Sequence, residues 1–146
     1  MPLIKLDIHA LRNINALSLA PDKGLNFLVG ANASGKSSIL EALFILSRSR
    51  SFRTHHIKQA IQFNQAQLVV SALKQQSNGS LSTLGISASH QETLIRIDQE
   101  PKLRADLAYN LPVQLIQPKS YQLLDAGPQF RREFIDWGVF NQQAQF

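Results

Sequence analysis

Residues 30–37 read Gly30-Ala31-Asn32-Ala33-Ser34-Gly35-Lys36-Ser37, a full match to G-x-x-x-x-G-K-[ST]. No other feature constrains the fold as much, because a loop of this kind works only between a strand and the N-terminus of a helix. The flanks comply. Leu25-Asn26-Phe27-Leu28-Val29 is an apolar run ended by Gly30, the form of a buried strand before a glycine turn. Leu40, Leu43 and Phe44 follow helical spacing, while Ile39, Ile45 and Leu46 fill most of the remaining circumference, so residues 36–47 predict a buried helix.

The spacing assigns chemistry to each position. Gly30 lets the chain turn tightly out of the strand, and Gly35 lets the backbone come close to a phosphate. Backbone N–H groups from Asn32 to Ser37, Ala33 and Ser34 included, can then form an anion nest backed by the helix dipole. Lys36 supplies a cation for β- and γ-phosphates, Ser37 a hydroxyl ligand for Mg²⁺, and Ser38 a donor to an α-phosphate. The competing reading is a glycine-rich helix start that binds nothing, with Lys36 solvated.

Around this motif the chain has ordinary globular composition: 146 residues, 44% hydrophobic and 17% charged. We expect a single domain over residues 1–146. Having no cysteine excludes thiol redox chemistry, zinc ribbons and disulfide scaffolds. A formal charge of +5 favours an anionic partner. The N-terminus has no signal-like apolar region and no stretch is long enough to span a bilayer, so the expectation is a soluble, cytoplasmic protein.

Leu3 to His9 and Ala16 to Leu19 alternate as strands, with Asn13-Ile14-Asn15 as the turn between them. Leu68 to Leu73 and Leu81 to Ser87 flank Asn78-Gly79, a strong hairpin cue, and Thr93 to Asp98 extends this pair to a meander. Lys102 to Tyr109 predicts a short helix entered through Pro101, Val113 to Ile116 a buried strand, and Pro128 to Phe140 a helix with Phe130, Phe134 and Trp137 on its core side. The fold class is therefore α/β: a P-loop lobe with a β-meander and flanking helices.

Other candidate sites are weaker. Asn32-Ala33-Ser34 is a formal glycosylation sequon inside the phosphate loop and is set aside. His55-His56 cannot share a helical face and reads as solvated loop rather than a metal site. Arg131-Arg132 reads as the wet face of its helix. The loop after the first helix places Arg48, Arg50, Arg53 and Lys58 among Phe52, His55 and His56, which suits DNA phosphates and bases as well as it suits a plain surface connection.

Together, Arg12-Asn13, the block Asn26 to Ala42, Arg50-Ser51-Phe52-Arg53, Gln114 to Pro118 and Gly127 to Trp137 closely resemble the RecF family of bacterial DNA repair proteins. That family stands with the SMC proteins among ABC-type ATPases. The resemblance implies ATP and Mg²⁺ as ligands and ATP-dependent binding of single-stranded or gapped DNA in replication, recombinational repair and the SOS response. It also implies RecR and RecO as partners and an ATP-dependent homodimer. Carried over, Arg12 and Asn13 approach the α-phosphate and base side, Gln117 stands near a Q-loop glutamine, and Arg53 resembles a basic loop residue aimed at phosphate or DNA.

RecF proteins are more than twice as long, and the segment with the helical arm, signature, Walker B acid and switch histidine has no counterpart here. The chain therefore reads as a first lobe that binds nucleotide and does not turn it over. Two rivals remain: a small P-loop kinase or GTPase, disfavoured by the absence of Asn-Lys-x-Asp and by the meander after the helix, and a DNA-binding module independent of nucleotide.

Overall fold

The computed structural model describes residues 2–121 and 127–142. Six strands form one antiparallel sheet in the order β2-β1-β3-β4-β5-β6. They are β1 (Leu3–Leu11), β2 (Ile14–Leu19), β3 (Gln67–Gln75), β4 (Leu81–Ser89), β5 (Thr93–Ile97) and β6 (Glu100–Pro101). Among the described residues three helices accompany them: α1 (Lys36–Arg48), α2 (Arg104–Asn110) and α3 (Pro128–Gln142). Short 3-10 turns cover Ile57–Ala60 and Pro118–Tyr121.

The alternation in β3 and β4 puts Leu68, Val70 and Ala72 beside Leu84, Ile86 and Ala88 on one buried face. Ile45 and Leu46 of α1 and Leu107 of α2 complete the core, each fully buried. Burying side chains of this size contributes about 1.5–3 kcal/mol each. The meander forms as its sequence indicates: Gly79 takes φ 85 in the turn, and Gln76 N–H donates to Ser80 C=O at 2.8 Å. One lysine shares the inner row. Lys74 is buried, and its Nζ donates to the backbone and side-chain oxygens of Asn110 at 2.8 and 2.9 Å, which caps the C-terminus of α2. Desolvation holds its pKa below the ordinary lysine value.

Several expectations are corrected. The first turn is Arg12-Asn13, with Leu11 paired to Ile14, because Ile14 is buried and belongs to the core face of β2. Residues 25–29 are not a strand, and Leu25, Phe27 and Val29 are 85%, 81% and 92% exposed. A buried strand needs hydrogen-bonding neighbours and cover on its faces; among the described residues the six strands pair with one another and, through one isolated bridge, Leu11 with Ile61, and none pairs with residues 25–29. Val113 to Ile116 likewise forms no strand, with Ile116 exposed. On α1 the buried arc runs through Ser38, Glu41, Ala42, Ile45 and Leu46, while Leu40 is half-exposed. Ser47, on the opposite side, is fully buried and donates to Leu111 C=O at the end of α2, and Ile39, Leu43 and Phe44 are partly buried, so α1 is covered round most of its circumference as its sequence indicates. Phe134 of α3 is also half-exposed and does not mark a core face.

Candidate nucleotide-binding site

The two-residue turn between β1 and β2 lies beside the start of α1. Arg12, Asn13, residues 32–38 and Arg53 line one cavity of about 450 Å³. The helix begins at Lys36, so the backbone N–H groups of Lys36 and Ser37 have no partner within α1 and remain available to an anion. Gly35 caps the helix at φ 98, a conformation that disfavours side chains, and an added Cβ would meet the Asn13 amide at 3.4 Å. Gly30 has a different requirement from the tight turn expected of it: a Cβ there would lie 3.0 Å from Ser34 Oγ.

Lys36 curls back over the loop, its Nζ donating to the carbonyls of Gly30 and Ala31 at 2.8 and 2.7 Å. Ser37 is exposed at the mouth of the cavity. Ser38 is turned inward, and its hydroxyl donates to Asn13 Oδ1 at 3.0 Å. The same Asn13 donates from Nδ2 to Ala33 C=O at 3.0 Å, so one side chain ties the middle of the loop to the first turn of α1. Ala33 itself sits at φ 62.

Sequence reasoning missed Glu41. Its carboxylate is fully buried and takes Arg12 Nε and Nη2 at 3.1 and 2.8 Å, with Arg53 Nη1 at 3.5 Å. The available signal was an acid on the same helical arc as Ser38, Ala42 and Ile45.

The residues expected to contact DNA divide among different environments. Arg53 lines the phosphate cavity. Lys58 donates from Nζ to His90 C=O. Arg48 is partly buried, with its guanidinium 3.5 Å from the Trp137 ring centroid and 5.4 Å from that of Phe44. Burial first, and then the Arg50 charge, lower its pKa. Arg50 is exposed and, with Arg48, Arg104, Trp137 and Phe140, lines a second cavity of about 430 Å³. Gln117 is exposed and does not line the phosphate cavity; its backbone N–H donates to Ser120 Oγ at 3.0 Å. Among the described residues no group of three or more His, Cys, Asp or Glu could hold a metal, and no helix is long and apolar enough to cross a membrane.

A phosphate loop at the start of a helix packed on this antiparallel sheet makes a mixed α/β fold, the one seen in RecF and SMC head-domain structures. The chain belongs to the RecF/RecN/SMC N terminal domain family, whose match spans residues 2–121. It is 43% identical over 147 residues to the DNA replication and repair protein RecF of Pseudomonas putida. The identity is again 43%, over 148 residues, to the RecF of Pseudomonas aeruginosa strain LESB58. In both cases the whole chain is covered, and it spans about 40% of the relative's length. Among solved structures it matches the recombination mediator protein RecF-ATP of the RecFOR pathway with a TM-score of 0.87 at 22% identity, over 98% of this chain and 39% of that one. The SMC head domain from Thermotoga maritima matches with a TM-score of 0.57 at 17% identity, over 73% of this chain and 41% of that one.

Proposed function

We propose that residues 1–146 are the ATP-binding lobe of a RecF-like DNA repair protein, acting as one domain. The observation that carries this is the convergence of Arg12, Asn13, Arg53 and the phosphate loop on one cavity. Arg12 and Arg53 add to the charge of Lys36, so three cations face a polyanion. The residues fit the ligand set: Lys36 leaves its carbonyl partners for the β- and γ-phosphates, and Ser37 offers its hydroxyl to Mg²⁺. Bound Mg²⁺ would supply charge neutralisation between the phosphates. That this chain binds ATP without turning it over belongs to the same proposal.

The RecF names of the relatives and the second, arginine-rich cavity support a role in DNA replication and recombinational repair, with DNA bound in an ATP-dependent manner. The SOS response, RecR and RecO as partners, an ATP-dependent homodimer and cytoplasmic location belong to the same proposal and rest on the resemblance alone.

Calorimetric titration of the 146-residue chain with ATP and Mg²⁺ tests the central point. Lys36→Ala removes a charge-assisted contact of about 1.5–3 kcal/mol, a loss of roughly ten- to hundredfold in affinity. A folded wild type that takes up no ATP at millimolar ligand would refute it.

A further inference from the structure

A carboxylate stripped of water persists only where it is paired and hydrogen-bonded. Glu41 meets this condition through the two arginines that also line the phosphate cavity. Arg12 grips it with a two-pronged fork, Nε and Nη2, and anchors Nη1 on Gln59 C=O at 2.8 Å. These bonds use three of the five guanidinium N–H donors. Arg53 approaches the same carboxylate, and Ser51 links the two by geometry: its hydroxyl donates to Glu41 Oε1 while its Oγ accepts the Arg53 backbone N–H at 2.9 Å. One anion therefore holds two cations, leaving one net positive charge. The Arg12 and Arg53 side chains are 22% and 45% exposed, against none for Glu41.

We propose that Glu41 is a positioning residue, which fixes Arg12 and Arg53 as a rigid two-guanidinium clamp for the phosphate chain of a nucleoside di- or triphosphate. The proposal rests on the nucleotide reading above. Without Glu41 the two guanidinium groups would repel each other, and their long side chains would have to be ordered by the ligand at its own expense in affinity. With it, their ordering precedes binding.

Charge and position make opposite predictions here. Removing the Glu41 charge makes the cavity more positive, which by attraction alone tightens anion binding; loss of the clamp weakens it. Calorimetry on the 146-residue chain with ATP, and separately with inorganic tripolyphosphate, distinguishes them. Glu41→Gln should weaken both ligands by about five- to thirtyfold despite the added positive charge. Glu41→Asp, which keeps the carboxylate, should recover part of the loss. Arg12→Lys keeps its charge and loses the fork. It should cost a similar factor, and the double variant should be no weaker than the weaker single one. A folded Glu41→Gln that binds as tightly as wild type, or more tightly, overturns the clamp. Should that variant not fold, unchanged affinity in Arg12→Lys overturns it equally. Wild type that fails to bind ATP, or binding that survives Lys36→Ala, overturns the nucleotide reading itself and the clamp with it.

Discussion

Asn13 and Ser38, 25 positions apart in sequence, share a 3.0 Å hydrogen bond that fastens the β1–β2 turn to the first turn of α1. With the second bond from Asn13 to Ala33, the phosphate loop is held from outside by a residue with no charge of its own. Its shape is therefore set before any ligand arrives.

Asn13→Ala removes both bonds and leaves every cation in place. Each such bond contributes about 0.5–1.5 kcal/mol, so ATP affinity should fall by about three- to tenfold while the global Tm moves little. Amide hydrogen exchange across residues 31–38 should speed up in the variant. Unchanged exchange there would show that the loop holds its shape without Asn13.

The apolar segment before the loop makes a second test. Phe27 is 81% exposed, whereas Ile8 of β1 is fully buried. Phe27→Ser should change the stability of this chain by no more than about 0.5 kcal/mol, the usual range for surface sites. Ile8→Ala should cost about 2–5 kcal/mol. Denaturant unfolding of both variants checks the pair; a large cost at Phe27 would mean that residues 25–29 pack in solution.

These two residues also show what the sequence conveys. Ile8 lies in an alternating strand, and alternation is a local property that one face of a sheet imposes directly, so β1, the β3–β4 hairpin and β5 were all legible. The apolar run at Phe27 states only that the segment suits burial; whether anything covers it depends on partners elsewhere, which local pattern does not encode. At the site, the glycines and Lys36 were legible because the spacing itself is the mechanism. Glu41 was not, since an acid in a helix looks solvent-facing until two arginines from distant loops are seen to reach it. The contact of Arg48 with Trp137 was not legible for the same reason, the two lying 89 positions apart.

Asp98 carries part of the acid-side pH dependence, beside Asp7, whose pKa is likewise lowered by its hydrogen bonds to Ser18 and Lys5. The Asp98 carboxylate accepts the Thr83 N–H at 2.7 Å and the Ser82 hydroxyl at 2.9 Å, and these bonds, led by the Thr83 backbone, hold its pKa below the ordinary value. Since the folded pKa lies below the unfolded one, this contribution is complete above the unfolded value of about 3.9 and is lost as pH falls through the folded pKa. Asp98 sits at φ 51, a conformation asparagine tolerates, so Asp98→Asn isolates the charge. The variant should be less stable than wild type at neutral pH by about 1 kcal/mol or less, given the exposure of the site. Thermal melts between neutral pH and pH 3 should show that gap closing on the acid side. A constant gap would assign the loss to geometry rather than charge.

Arg48 and Arg50 stand two positions apart and should behave differently. Arg48 lies over Trp137, the sole tryptophan of the chain, while Arg50 is exposed beside it. Arg48→Ala loses a half-buried cation–aromatic contact of about 1–2 kcal/mol and its packing, so Tm should fall and Trp137 emission should shift. Arg50→Ala should leave both unchanged. If the second cavity meets DNA phosphates, Arg50→Ala should flatten the dependence of log affinity on log salt by about one unit, with no change in sequence preference. Fluorescence anisotropy on gapped DNA, read at several salt concentrations with ATP present, measures that slope. An unchanged slope in a folded Arg50→Ala variant would remove this cavity from the DNA interface and leave Arg50 as a solvated surface charge.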